Sequence, residues 1–178
     1  MTKTHNFVFI ALQVVAWIIF VGLSIEAGAL IVNFVFTLFR PEIIQNLYQK
    51  LDLTSMYVEN KFSFFVLYGF ILIVSCLKAG LFYMVIMLMQ KMNLSKPFNP
   101  QVSKQITNIG YQTLIIGVMS LVAQQIAKNL LHHGYTADKV DRFWADGESF
   151  LLMGAIIYII ATIFKKGLEI QNENDLTV

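Results

Sequence analysis

The sequence predicts an all-α integral membrane protein, a bundle of four transmembrane helices. Three observations carry this. Of 178 residues, 57% are hydrophobic and only 13% charged, about half the ~25% charge of a soluble globular domain. Most of the surface must therefore face something other than water. Four apolar runs, each approaching or exceeding the ~20 residues of a membrane-crossing helix, are separated by short polar connections. The second run, Leu67 to Gln90, holds a lysine, Lys78, in its interior. An ionisable side chain there costs about 2.5–3.5 kcal/mol on the lenient insertion scale, so such residues turn inward and find partners. The length fits one membrane domain. A net charge of +2 is too small to argue for direct nucleic-acid binding.

The first helix is expected over about 7–39. Its apolar stretch is far longer than the ~7–15 residues of a signal peptide, so it reads as an uncleaved helix. At 1.5 Å per residue it would be about 50 Å long, beyond the ~30 Å hydrocarbon layer. It is therefore expected to tilt strongly, or to project at its far end and pack on protein; Glu26 and Asn33 in that far half favour projection. In 41–52, Ile43, Ile44, Leu47, Tyr48 and Leu51 share one helical face and polar residues take the other. That is the pattern of a short amphipathic helix at the membrane surface.

The second helix is expected over about 62–90 and contains Cys76. This single cysteine reads as a small buried hydrophobe, and it forms no intramolecular disulfide. The connection that follows carries Lys91, Lys96 and Lys104 without an acid, and Lys96-Pro97-Phe98-Asn99-Pro100 reads as a rigid turn. Asn99 can cap a helix whose first position is Pro100. The third helix, about 101–131, is the most polar, with Gln112, Ser120, Gln124, Gln125 and Lys128. In the last connection, Phe143 and Trp144 fit an interfacial aromatic belt. The fourth helix is expected over about 146–166, its apolar part from Ser149 to Phe164. Asp146 and Glu148 sit near its start, where the helix dipole favours acids. A polar tail, 167–178, follows Lys165-Lys166.

Four crossings put both termini on one side. Basic residues divide evenly: Lys3, Lys91, Lys96, Lys104, Lys165 and Lys166 on the terminal side, Arg40, Lys50, Lys61, Lys128, Lys139 and Arg142 on the other. The acid-free second connection favours termini in the cytoplasm.

Glu26 and Lys78, with Gln124 and Gln125 as further partners, are the candidate intramembrane polar cluster. The readings are a structural ion pair, separate polar partners, or a site that handles a ligand or ion. His132, His133, Asp138, Asp141 and Asp146 do not form a metal motif: adjacent histidines share no face and no HExxH or cysteine spacing supports them. A solvated outer loop is expected there. Ser24-x3-Gly28 and Ala123-x3-Ala127 place small residues one turn apart, which lets helices approach closely in lipid, within the bundle or as a homo-oligomer seam. No nucleophile–base pair, phosphate loop or cofactor fingerprint is present, so neither an enzyme nor a bound cofactor or metal is expected.

Two stretches carry a resemblance. One is Lys96-Pro97-Phe98-Asn99-Pro100 followed by Ile109-Gly110. The other is the exit Ile163-Phe164-Lys165-Lys166-Gly167 running to Glu173-Asn174-Asp175-Leu176-Thr177-Val178. Together they resemble a widespread family of bacterial four-helix membrane proteins known only as a domain of unknown function. The family has a Pro-Phe turn after its second helix and an E-N-D/E-L-T-V tail. The resemblance implies no catalytic residues. It implies a bacterial cytoplasmic membrane and a small cytoplasmic partner of the helix-turn-helix repressor type, often encoded alongside. On this reading Pro97, Phe98, Pro100, Gly167, Asp175, Leu176, Thr177 and Val178 form the partner-binding surface. The alternative is a small carrier or channel using Glu26 and Lys78.

Overall fold

The computed structural model describes residues 3–40, 42, 51, 53–92, 99–132 and 140–175. The chain is all-α. Helix α1 (Lys3–Phe39) is followed by the short α2 (Thr54–Glu59), then α3 (Lys61–Lys91), α4 (Pro100–His132), a 3-10 turn η1 (Val140–Phe143) and α5 (Gly147–Asp175). The four long helices are long and apolar enough to cross a membrane. Of the amphipathic helix expected over 41–52, nearly all lies outside the described residues, as do Pro97, Phe98 and Leu176 to Val178.

Local sequence sets the helix starts. Asn60 takes an extended conformation and its Oδ1 accepts from the Ser63 amide at 3.2 Å, capping α3. Asn99 caps α4 as its sequence suggests: Oδ1 accepts from the Gln101 amide at 2.8 Å, with Pro100 at the first helical position. Such caps are worth about 1 kcal/mol each. α5 runs past Lys166 to Asp175, so the stretch expected as a tail from residue 167 begins as helix.

The long helices pack serially: α1 on α3, α3 on α4, α4 on α5. Among the described residues α1 has no backbone approach to α4 or α5. The far half of α1 packs as expected. Ala27, Leu30 and Thr37 are buried, the Tyr68 hydroxyl donates to the Leu30 carbonyl at 3.0 Å, and the Phe34 ring stacks on Tyr68 with centroids 5.3 Å apart. From α4, the Gln105 and Gln112 side-chain amides donate to the Met84 and Leu77 carbonyls of α3 at 3.2 and 3.3 Å. In lipid, where no hydrophobic force draws helices together, such bonds and close packing hold the pair.

Close packing is tightest between α4 and α5. A methyl group added at Gly117 would lie 2.7 Å from Leu151 Cγ and 2.8 Å from its backbone nitrogen. One added at Gly154 would lie 2.8 Å from Leu114 Cγ, Cδ2 and backbone nitrogen. Gly110 faces Tyr158, and Gly147 faces Ser120. Buried Gly147, Gly154 and Ala161 recur every seventh residue on α5, as do Ser103, Gly110 and Gly117 on α4. A seven-residue period keeps one seam facing its partner in a left-handed crossing. The expected small-residue site at Ser24 and Gly28 is not a close approach, because a methyl group at Gly28 would meet nothing within 4 Å.

Two further expectations are corrected. Phe143 and Trp144 do not form an interfacial belt: they are 3% and 1% exposed. With Val140 they plug a core of Leu53, Met56, Phe64, Leu67, Tyr68, Ile71, Ala123 and Ala127. Ala123 and Ala127, read as a helix-packing pair, are small residues of the same core. Cys76 is exposed on the outer face of α3 and is not buried.

Candidate intramembrane polar site

Lys78 lies near the middle of α3. Its partner is not Glu26. The ammonium donates to both carboxylate oxygens of Asp146, at 2.7 and 2.8 Å, and to the Phe143 carbonyl at 2.9 Å. An ammonium has three N–H donors, so this set saturates it. The Phe150 ring lies 5.4 Å from Nζ and adds a cation–π contact. The lysine side chain is 12% exposed and the aspartate 47%. Asp146, expected as a dipole-favouring acid in a solvated outer loop, instead delivers its charge sideways into the helix layer.

The geometry follows from the chain around it. Trp144 and Phe143, too apolar for water, sink into the core and draw the following residues inward. Gly147 then abuts Ser120 of α4, well inside that helix. α5 therefore begins at the depth of Lys78, short of the C-terminal end of α4. A sequence signal for this existed. The apolar part of α5, Ser149 to Phe164, is only about 24 Å long as a helix, short of the ~30 Å hydrocarbon layer. With Lys165-Lys166 at one edge, its other end falls inside.

Beside the ion pair lies a cavity of about 310 Å³. Its wall joins Glu26, Ile19 and Leu23 of α1, Ser75, Lys78 and Phe82 of α3, and Arg142, Phe143, Asp146 and Phe150. Glu26 and Lys78 thus face one cavity, as neighbours without an ion pair. Half-buried Glu26 makes no ion pair among the described residues. The Arg142 guanidinium lies 4.7 Å from the Phe143 ring centroid. Two carboxylates and two cations balance in formal charge. Gln124 is half-buried and Gln125 exposed, and neither lines this cavity. The polar groups sequence reasoning missed here are Asp146, Arg142 and Ser75.

The residues named for partner binding are placed only in part. Pro100 opens α4 and is exposed, Gly167 is a half-buried position within α5, and Asp175 is the last residue of α5.

Four apolar helices around an internal lysine–aspartate pair define a multi-pass α-helical membrane protein. Within that class the chain belongs to the family described as "Protein of unknown function (DUF2975)", whose model matches residues 47–178. The match takes in α2 to α5, with the Lys78–Asp146 pair and the glycine seam, and leaves out α1 with Glu26. Neither a curated protein nor a solved structure matches the chain.

Proposed function

We propose that this chain is a non-enzymatic regulatory or sensing protein of the bacterial cytoplasmic membrane, with its termini in the cytoplasm and a small cytoplasmic protein as partner. The observation that carries this reading is the path of α5. It starts at the Lys78–Asp146 pair beside the cavity and continues unbroken to Asp175, with Lys165, Lys166, Glu169 and Glu173 exposed along its last turns. A change at the pair displaces the helix that bears the exposed end, because the seam with α4 leaves little room for α5 to deform. The partner is a small helix-turn-helix repressor held at the membrane or released from it. The chain itself does not contact nucleic acid.

The test is capture of the neighbouring helix-turn-helix protein by full-length chain and by a chain ending at Gly167. Loss of capture on truncation is expected; unchanged capture removes the α5 end from the mechanism. A second reading, a small carrier or channel working through Glu26 and Lys78, draws on the charged cavity. Flux measured in vesicles with Lys78→Met separates the two: a carrier variant folds normally and loses transport, whereas a structural pair loses stability.

A further inference from the structure

From Asn60 to Ala137 the sequence contains no acidic residue. That interval contains all of α3 and α4, which close at one end on a groove of about 320 Å³. Lys91 and Lys104 stand on its rim, both exposed and neither in an ion pair among the described residues. Gln101 and Asn108 add side-chain amides, also exposed. Met84 and Met87 supply an apolar floor. The Gln105 amide between them donates to the Met84 carbonyl, which fixes that wall.

The depth is that of a headgroup layer. Lys91 lies about 20 Å along α3 from the mid-helix Lys78, at the end of the helix where Lys165 and Lys166 also emerge from α5. Uncompensated cations, neutral donors and an apolar floor, at the edge of the hydrocarbon and between two helices, match a phosphate with acyl chains below it. Methionine floors adapt to chains of varied shape.

We propose that this groove binds the headgroup of an anionic phospholipid of the phosphatidylglycerol class, with Lys91 and Lys104 on the phosphate and Met84 and Met87 against the first acyl carbons. The site does not depend on the sensing reading: it lies at the end of α3 far from α2, away from the Lys78 cavity, and it is read by lipid binding alone.

The experiment uses full-length protein in mild detergent, titrated with phosphatidylglycerol or phosphatidylcholine and read by native mass spectrometry and by Tm. The expected result is saturable binding of phosphatidylglycerol over phosphatidylcholine. In Lys91→Gln/Lys104→Gln the affinity falls about thirty-fold, the weight of two lysines near an anionic headgroup. Both lysines are exposed, so Tm without lipid should not change. Lys165→Gln/Lys166→Gln removes the same charge at the same end of the molecule and should leave the affinity within about threefold. Equal weakening by both double variants would mean diffuse attraction and would overturn the site. Equal binding of phosphatidylcholine, or equal stabilisation by soluble glycerol phosphate, would overturn the occupant.

Discussion

Removing either member of the Lys78–Asp146 pair should destabilise the protein, and removing both should restore most of the loss. Stripping one partner from a fully buried pair costs about 3–5 kcal/mol, because the remaining charge is stranded. Here the two sides differ. Lys78 is 12% exposed, Asp146 47%. Asp146→Asn leaves an almost enclosed ammonium with one full-strength acceptor, the Phe143 carbonyl, and should cost about 3 kcal/mol. Lys78→Met leaves a carboxylate that is half open to its surroundings and should cost less, about 1–2 kcal/mol. The double variant Lys78→Met/Asp146→Asn has no stranded charge and keeps a methionine of similar volume among Phe82 and Phe150. It should lie within about 1 kcal/mol of the parent, giving a coupling of roughly 3–5 kcal/mol between the sites. The assay is reversible unfolding in mixed micelles, by increasing the mole fraction of denaturing detergent and following far-UV circular dichroism. Losses that simply add in the double variant would refute the pair as a unit. A larger loss from Lys78→Met than from Asp146→Asn would refute the burial argument that orders them.

Two further tests address packing, each as a contrast within the chain. Gly154→Ala forces a methyl group against the Leu114 backbone nitrogen at 2.8 Å and should cost about 1–3 kcal/mol by overpacking; Gly28→Ala meets nothing within 4 Å and should gain up to about 1 kcal/mol from helix propensity, both measured by the same unfolding assay. Trp144→Ala empties the core plug and should cost about 3–5 kcal/mol, whereas Trp17→Ala, on the 42% exposed outer face of α1, should change stability by less than about 1 kcal/mol; comparable losses from the two tryptophans would return Trp144 to an interfacial role.

The helices themselves were legible because each is written locally. Apolar length gives the spans, and Asn99 and Pro100 mark a start that the backbone obeys; the Asn60 cap of α3 was not read from the sequence. The far half of α1 was legible for a different reason: its excess length calls for tilt or projection, its polar Glu26 and Asn33 favour projection onto protein, and Leu30 and Phe34 do meet Tyr68. What local reasoning could not give is depth across the chain. Matching Glu26 to Lys78 assumed that every polar residue next to a loop lies at the surface. Once Phe143 and Trp144 are treated as apolar mass rather than interface markers, the residues after them must descend, and Asp146 descends with them.

The same correction explains why glycines rather than bulky residues line the α4–α5 seam. α5 starts deep, so its short apolar part must hold onto α4 over most of its length, since among the described residues α1 makes no backbone approach to it. Leucine-on-leucine packing gains little in lipid, since acyl chains offer equivalent contacts. Backbone-to-backbone approach does not have that competitor, and glycine at 147 and 154 with alanine at 161 permits it. The inward aspartate and the seven-residue repeat of small side chains are therefore one design: the seam fixes the register of α5, and the register is what brings Asp146 within 2.7 Å of Lys78. A substitution that shifts the seam should accordingly loosen the ion pair even though the two do not touch.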